Sequence, residues 1–322
     1  ITLGILNALV DGQKALCYDL SLGEGPDEVT IANKLGRVTR KKPDGSLKHR
    51  LVWDLRRSGV NNTICQGERI LLPNIINVVD SARSLSAQPM SDAGWLGPVD
   101  GDLSFLGVDV SEAFHQVPLK KEERPFTAAR YLDKLYIFNV LVFGSASAPT
   151  VWGRFAAWLG RSTTAVCEPT HFRMLMYVDD PVYTAVGTSQ DVIAIFALAL
   201  LWAAAAGFPL AWHNADGGAE VMWIGALFRI APKGVQITVP PAKVTSIHEM
   251  LALVIKKPLI QPKFTRKLAG VLAWVATIVP HIKPFLVGFW EALAKGESKP
   301  IPTKKLKISA GWLAAFLSGQ RG

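Results

Sequence analysis

The sequence predicts an α+β protein in which a small antiparallel sheet is backed by helices. Two patterns support this prediction. Short β-prone runs occur in pairs around turn residues, and longer apolar segments repeat with helical spacing. The chain has 322 residues, of which 49% are hydrophobic and 19% charged. This length and composition allow a large buried core and exclude an intrinsically disordered chain.

The first predicted strand pair lies between residues 34 and 55. The β-prone residues Val38, Leu51 and Trp53 flank the sequence Lys-Pro-Asp-Gly at 42–45. Because Pro and Gly favour tight turns, this segment is predicted to form a strand, a turn and a second strand.

A second hairpin is predicted further along the chain. The β-prone runs 174–177 and 182–186 flank the polar sequence Val-Asp-Asp-Pro at 178–181. Two strands around a short polar turn form a hairpin, so Asp179 and Asp180 are expected at its tip.

Further strands are predicted at 103–110, at 136–143 and as a short pair within 221–228. The first is apolar enough to be buried, and Asp109 lies near its end. Residues 111–116 can start a helix after it.

Helices are predicted at 151–159, at 192–206 and in the C-terminal third. The apolar run 192–208 is shorter than the about 20 residues of a membrane span, so we expect a buried helix and no membrane partner. In the C-terminal third, apolar residues recur at i, i+4, i+7 and i+11, on one face of a helix: Leu268, Leu272, Val275 and Val279.

Positive charge is concentrated at the C-terminal end. Residues 232–322 contain 14 Lys and Arg against three acids, a local net charge of +11, whereas the whole chain has +9. Such a segment indicates a surface that binds a polyanion, although a solubilising surface would have the same composition.

The three cysteines, Cys17, Cys65 and Cys167, are far apart and lack the spacing of a zinc site. This fits a reducing, intracellular compartment, cytoplasmic or nuclear. The chain begins at Ile1 without a basic signal-peptide region and ends at Gly322, so we expect a piece of a longer polyprotein.

Asp109 is the carboxylate that makes a metal site a plausible interpretation of the acidic pair. The pair at 179–180 alone is explained by turn chemistry, but an acid in an apolar strand is costly unless it has a partner. If this strand lies beside the hairpin, three carboxylates converge and require a counter-ion. Oxygen ligands suit Mg²⁺, with Mn²⁺ as an alternative, and two such ions can promote in-line phosphoryl transfer.

Five sequence motifs then resemble those of reverse transcriptases, in order and in spacing over residues 34–290. The three central motifs are Leu-Gly-Val-Asp-Val-Ser-Glu-Ala-Phe-His-Gln-Val-Pro-Leu at 106–119, Phe-Gly-Ser-Ala-Ser-Ala-Pro at 143–149 and Tyr-Val-Asp-Asp at 177–180. Arg-Leu-Val-Trp-Asp-Leu-Arg at 50–56, with Asn61, resembles the fingers motif. Trp-Ile-Gly-Ala at 223–226 resembles the primer grip. The segment 268–280 resembles the region after the palm in tyrosine-recombinase-type retrotransposons.

The resemblance implies a right-hand polymerase fold. It consists of an N-terminal extension (1–33), interleaved fingers and palm (34–231), and a basic helical thumb or connection segment (232–322) that is truncated. It implies an RNA-directed DNA polymerase of a retroelement that binds dNTPs and an RNA or DNA template with an annealed primer. Further polyprotein domains (RNase H, integrase or recombinase) would lie outside this chain.

The resemblance also implies roles for individual residues. Asp109, Asp179 and Asp180 would bind two Mg²⁺ ions. Phe114 would be the steric gate that excludes a ribose 2′-hydroxyl, although a core aromatic residue is the plain alternative. Further nucleotide-binding residues would be a fingers lysine, either Lys41 or Lys42, together with Arg50, Phe143 and Gly144.

Primer and template contacts are implied for the hairpin residues Tyr177 and Val178, for Trp223 and Gly225, and for the thumb bases Lys263, Arg266 and Lys267. Ordinary strand packing would equally explain Tyr177 and Val178, and a Trp on a short strand, such as Trp223, is more often a core residue. One departure concerns the lysine that the family often has before the primer grip, to protonate pyrophosphate. Here the stretch contains His213, which could donate a proton, and Asn214, which could not.

Two other functions stay open at this point. A catalytically decayed retroelement remnant would bind nucleic acid without extending a primer. An RNA-directed RNA polymerase would incorporate ribonucleotides as well, against the implied role of Phe114.

Overall fold

A computed structural model describes residues 1–26, 31–41, 45–86, 102–232, 234–294 and 299–319. Its helices are α1 (Thr2–Asp11), α2 (Ile75–Ser86), α3 (Ala148–Val166), α4 (Ser189–Ala205), α5 (Pro241–Lys256), α6 (Pro262–Ile278), α7 (Val287–Ala294) and α8 (Lys307–Leu317). Its strands are β1 (Ala15–Asp19), β2 (Leu35–Lys41), β3 (Leu47–Trp53), β4 (Asp102–Gly107), β5 (Ala129–Tyr131), β6 (Lys134–Phe138), β7 (Phe172–Tyr177), β8 (Asp180–Gly187), β9 (Asp216–Gly218), β10 (Glu220–Trp223), β11 (Ala226–Ala231), β12 (Gly234–Thr238), β13 (Leu259–Ile260) and β14 (Ile301–Pro302). The expected α+β class with small antiparallel sheets is confirmed.

The described residues form two compact units. The first contains 1–73, 108–183 and 188–215, and the second contains 74–107, 184–187 and 216–322. These units do not test the expected bounds at 34–231 and 232–322, which stay predictions.

The first unit contains small antiparallel sheets. The strands β2 and β3 pair with Leu35 opposite Trp53 and Lys41 opposite Leu47, as the turn at 42–45 predicts. The strands β1, β6 and β5 form a second sheet in that order, and β7 continues into the start of β8 through a short turn. A core that includes Leu6 and Leu9 of α1 fastens this helix to β3 and β6.

The helices of the first unit start and end differently from the prediction. The helix expected at 151–159 extends over Ala148–Val166, because Pro149 is accommodated in its first turn, where no backbone donor is needed. The helix α4 is capped by Thr188, whose side chain accepts a hydrogen bond from the backbone N–H of Asp191. In the described part of the chain, no helix combines the length and apolar character that crossing a bilayer requires.

The second unit combines strands with a helical core. The end of β8 (184–187) lies next to β4, and β4 pairs with β9. The strands β10, β11 and β12 form an antiparallel sheet, one strand more than the expected pair. The helices α5, α6, α7 and α8 share one core, in which Leu268, Leu272 and Val275 of the predicted apolar face are fully buried. The fourth predicted residue, Val279, follows the end of α6 and is only partly buried.

Candidate active site

A cavity of about 930 Å³ lies within the first unit. The helix α1 and the turn after it, the strand β3 and the segment 109–115 line most of it. The cavity is lined by three acids, Asp109, Glu112 and Asp179, and by the basic side chains of Lys14, Lys48 and Arg50 together with three histidines, His49, His115 and His213. The same cavity therefore offers carboxylates that could bind a metal ion and basic side chains that could bind a polyphosphate.

Asp109 follows β4 instead of lying in it. The strand ends at Gly107, whereas the predicted strand, 103–110, included Asp109. The backbone N–H of Ala211 donates to the carbonyl of Asp109 at 2.8 Å, and the side-chain amide of Asn214 donates to its Oδ2 at 3.0 Å. Both the backbone and the carboxylate of Asp109 are therefore fixed by the segment after α4.

Asp179 lies in the turn between β7 and β8, as expected, and its carbonyl accepts a 2.8 Å hydrogen bond from the N–H of Val110. Burial raises the pKa of the Asp179 carboxyl, and the charge of Asp109 acts in the same direction, whereas Arg50 and Lys48 oppose it. The carboxylates of Asp109 and Asp179 therefore repel each other electrostatically.

The expected convergence of three carboxylates is not found. Among the described residues, no group of three or more His, Cys, Asp or Glu side chains is arranged to hold a metal ion. Asp180 is the first residue of β8 and does not line the cavity that Asp179 lines. Neighbouring residues at a strand end direct their side chains to different sides, which separates the two acids of the pair.

The pair Asp109 and Asp179 still fits a divalent cation. Two like charges in a partly buried space are stabilised by a positive ion, and oxygen is the ligand atom that Mg²⁺ prefers. Mg²⁺ typically uses one or two carboxylates and completes its shell with water and substrate phosphate.

Phe143 is the centre of an aromatic cluster in this cavity, formed with Phe114 and His115. Its ring centroid lies 5.1 Å from that of Phe114 and 5.5 Å from that of His115. The guanidinium carbon of Arg50 lies 5.5 Å from the centroid of Phe143. A flat aromatic surface therefore lies beside the guanidinium of Arg50, which can bind phosphate.

Gly144 adopts a backbone conformation that other residues rarely reach, with φ of +113°. A Cβ atom at this position would lie 2.0 Å from the carbonyl oxygen of Trp53. The N–H of Trp53 donates to the carbonyl of Phe143 at 2.8 Å, and Asn61 donates to the carbonyl of Gly144 at 2.9 Å. The glycine is therefore required for the close approach that places Phe143 beside β3.

The turn at Val178 is held by helix α3, which lies outside the Tyr-Val-Asp-Asp motif at 177–180. Val178 has φ of +58°, and its carbonyl accepts a 2.8 Å hydrogen bond from the indole N–H of Trp152 on α3. Val178 lines the cavity, and the preceding Tyr177 is 37% exposed. Both positions stay compatible with primer contact.

Lys41, one of the two lysines expected to bind the triphosphate, lies outside this cavity. Lys41 is the last residue of β2, is exposed and does not line the cavity. Lys42 lies outside the described residues. The choice between them therefore stays a prediction.

In the second unit, the hairpin of β10 and β11 places Trp223 and Gly225. The side chain of Trp223 is only 1% exposed and packs near Phe228, and its contact with a primer stays a prediction. Gly225 has φ of +83°, and a Cβ there would lie 3.0 Å from Nζ of Lys243. This ammonium lies 3.4 Å from the ring centroid of Trp274 on α6.

The basic residues Lys263, Arg266 and Lys267, which were expected to contact the duplex, are exposed on α6, whereas Leu268, Leu272 and Val275 of the same helix are buried. His213 is exposed on a short 3-10 helix, Trp212–Asn214, and lines the active-site cavity. It is therefore placed where a proton donor could act.

Four functional candidates were missed by sequence reasoning. They are Lys14, His115 and Lys243, for which no sequence pattern indicates a role, and Asn214, whose neutral amide only excludes a role as proton donor. His115 lies inside a motif, whereas Lys14 and Lys243 lie in none, so only tertiary packing could reveal the last two.

The family model described as reverse transcriptase (RNA-dependent DNA polymerase) matches residues 68–216. This segment is therefore similar to a reverse transcriptase domain. The matched residues include Asp109, Phe114, Phe143 and the hairpin acids. Arg50 and the turn after α1, which line the same cavity, precede the matched residues.

Solved structures similar to this chain include those of the foamy viral protease-reverse transcriptase. The complex with an RNA/DNA hybrid shares 16% identity at a TM-score of 0.67, over 98% of this chain and 36% of that one. The same protein with double-stranded DNA gives 16% identity and a TM-score of 0.65 over 99% and 57%. A further double-stranded DNA complex gives 16% and 0.64 over 97% and 46%. The likeness shows a shared fold, and the chain spans about half or less of two of these relatives. No curated protein matches the chain.

Proposed function

We propose that the chain is an RNA-directed DNA polymerase of a retroelement, which adds dNTPs to a primer annealed to an RNA or DNA template. One observation supports this above all. A single cavity is lined by the carboxylates of Asp109 and Asp179, by Arg50 and by the aromatic cluster of Phe114, His115 and Phe143. These groups match the metal-bound phosphate, the negative charge and the sugar and base of a dNTP.

Asp109 and Asp179 would hold Mg²⁺, and Asp180 is proposed as a further ligand. When bound, two Mg²⁺ ions supply charge stabilisation to the attacking and the leaving oxygen. Asn214 keeps one oxygen of Asp109 engaged, which orients the carboxylate for this task.

The remaining residues would bind and orient the substrate. Arg50 can bind phosphate oxygens in a bidentate manner, and Lys41 or Lys42 would bind the triphosphate from the fingers. Phe114, held against Phe143, would pack on the sugar and exclude a 2′-hydroxyl. In the proposed reaction the primer 3′-hydroxyl gives its proton to water, its oxygen attacks the α-phosphorus, the bond to pyrophosphate breaks, and His213 would protonate the leaving pyrophosphate.

The primer and template would be held by other surfaces. Val178 and Tyr177 would contact the primer end, and the hairpin around Gly225 would hold its terminus through backbone atoms. The bases Lys263, Arg266 and Lys267 would bind phosphates of the duplex, by shape more than by sequence.

Primer extension on RNA and DNA templates, with dNTPs and with rNTPs, tests this proposal. We expect Mg²⁺-dependent incorporation of dNTPs by the wild-type chain and a loss of at least about a thousandfold in Asp109→Asn and Asp179→Asn. The control is Asp133→Asn, at an exposed acid whose side chain is 79% accessible.

Each other result has a defined meaning. Unchanged extension in either active-site variant would reject the mechanism. Duplex binding with a steep salt dependence but no extension would favour the decayed remnant. Incorporation of rNTPs as fast as dNTPs would favour RNA synthesis.

A further inference from the structure

Lys14 is a basic residue of the active-site cavity that lies outside the matched reverse transcriptase residues. It follows α1 and precedes β1, whereas the family model begins at residue 68. Its side chain is 25% exposed and forms an ion pair with Glu112. Both partners line the cavity that contains Asp109 and Asp179.

The backbone of Lys14 is held firmly. Its N–H donates to the carbonyl of Leu9 at 2.8 Å, and its carbonyl accepts from the N–H of Asn139 at 2.9 Å. Leu9 is 6% exposed within the core that joins α1 to β3. The fold therefore fixes the point from which the lysine side chain extends into the cavity.

Glu112 is the more exposed member of the pair, with 56% of its side chain accessible. It lies three residues after Asp109 and two before Phe114, and its φ of +50° is unusual for a residue with a side chain. This carboxylate therefore lies on the stretch between the metal-binding acid and the residue proposed to contact the sugar. A nucleotide bound between Asp109 and Phe114 would bring its phosphates close to the carboxylate of Glu112. The two negative groups would repel each other unless a cation lay between them.

We propose that Lys14 binds the terminal phosphates of the incoming dNTP and exchanges Glu112 for them when the nucleotide arrives. This rests on the polymerase function proposed above, and it names a binding residue contributed by the N-terminal segment. A triphosphate has several negative oxygens, so it competes well with a single, mostly exposed carboxylate for one ammonium. Glu112 can turn to solvent, while the anchored Lys14 stays in the cavity.

The alternative is that Lys14 and Glu112 only fasten the N-terminal segment to residues 109–115. The two explanations differ in what removal of Glu112 does. If the pair is structural, the loss of either partner has the same consequence, and the loss of both adds nothing. If Lys14 binds phosphate, its loss harms nucleotide binding even when Glu112 is absent.

The test uses Lys14→Gln, Glu112→Gln, the double variant and Lys14→Arg in the full chain. Equilibrium binding of dNTP, dNDP and dNMP is measured with Ca²⁺ on a primer–template ended by a dideoxynucleotide, alongside the KM and kcat of extension with Mg²⁺. Lys134→Gln, at an exposed lysine of β6 that does not line the cavity, is the control. Circular dichroism and thermal melting verify the fold of each variant.

We expect Lys14→Gln to weaken dNTP binding about tenfold and to raise KM with little change in kcat, in the wild-type and in the Glu112→Gln background alike. The loss should be smaller for dNDP and absent for dNMP. Lys14→Arg should restore most of the affinity, and Lys134→Gln should bind as the wild type does.

Three results would overturn the inference: wild-type affinity in Lys14→Gln, a loss that disappears in the Glu112→Gln background, or an equal loss for dNTP and dNMP. A wild-type chain that extends primers normally while Lys14→Gln is unaffected rejects only the role of Lys14. A wild-type chain that neither binds dNTP nor extends a primer rejects the polymerase function and this inference together.

Discussion

The side-chain amide of Asn214 donates a 3.0 Å hydrogen bond to Oδ2 of Asp109. The same segment donates the N–H of Ala211 to the carbonyl of Asp109 at 2.8 Å. In the stretch where reverse transcriptases often have a lysine, this chain therefore has a neutral donor on the proposed metal ligand. An amide orients the carboxylate without neutralising it, so the charge stays available for a metal.

Asn214→Ala should therefore weaken metal-dependent catalysis. Partners of metal ligands typically change metal affinity or activity about 10- to 100-fold, so we expect kcat to fall about tenfold and the Mg²⁺ concentration for half-maximal extension to rise. Mg²⁺ titrations of primer extension measure both. Asn62→Ala, at an exposed asparagine that does not line the cavity, should match the wild type. An Asn214→Ala enzyme with a normal Mg²⁺ response would show that the hydrogen bond does not matter.

Asp179→Asn should make the fold more stable while abolishing extension. Burial raises the pKa of Asp179, so in the folded state the carboxyl ionises against a penalty that is absent in the unfolded chain. The penalty is complete above the folded pKa and disappears as the pH falls below the unfolded value of about 3.9. At pH 7 without divalent metal, we expect Tm to rise by about 2 °C.

The gain in Tm from Asp179→Asn should shrink as the pH is lowered from 7 towards 4, as measured by thermal melting in EDTA. Asp133→Asn, which removes an exposed carboxylate, should change Tm little. A decrease in Tm at pH 7 would mean that the Asp179 carboxylate stabilises the fold.

Gly144→Ala should strongly destabilise the first unit. The new Cβ would lie 2.0 Å from the carbonyl oxygen of Trp53, and φ of +113° is itself unfavourable for alanine. We expect a loss on the order of 3 kcal/mol or more, measured by urea denaturation. Gly160→Ala, in the interior of α3 with no atom within 4 Å of the added Cβ, should gain up to about 1 kcal/mol. Similar stabilities for the two variants would contradict this account of Gly144.

His115→Phe should raise stability. Both ring nitrogens of His115 are buried without a hydrogen-bond partner among the described residues, and a phenyl ring could keep the contact with Phe143. We expect a gain of about 1 kcal/mol. Burial also lowers the pKa of His115, so the unfolded chain binds its proton first and stability falls as the pH drops below about 6.5.

His115→Phe should reduce this acid sensitivity, as measured by urea denaturation at pH 5, 6 and 7. His281→Phe, at an exposed histidine, should leave the pH dependence unchanged. If His115→Phe were less stable at every pH, the nitrogens would have an unrecognised stabilising role.

Replacing Lys263, Arg266 and Lys267 together by Gln should weaken duplex binding and lower its salt slope. All three are exposed along α6. Each lost phosphate contact removes about 0.7 to 0.9 from the slope of log K against log salt, so the triple variant should lose about 2 units. Fluorescence anisotropy with a primer–template over a salt series measures this. The triple replacement of Lys120, Lys121 and Lys134 removes as many exposed charges and should keep the slope, whereas an unchanged slope in the α6 variant would reject its role as the duplex surface.

Sequence reasoning worked best where the pattern is local. The turn at 42–45 predicted the pairing of β2 with β3, and the spacing of Leu268, Leu272 and Val275 predicted the buried face of α6. It worked less well at element ends. The extent of α3 and the end of β4 before Asp109 depend on packing and on hydrogen bonds from distant segments.

The acidic site shows the same division. The sequence alone determined that Asp109, Asp179 and Asp180 stand in reverse transcriptase motifs, because order and spacing are properties of the chain. Only the tertiary structure decided that Asp109 and Asp179 share a cavity, that Asp180 does not line it, and that Asn214 binds Asp109. Those contacts join residues far apart in sequence, and their geometry is set by packing, which no local pattern encodes.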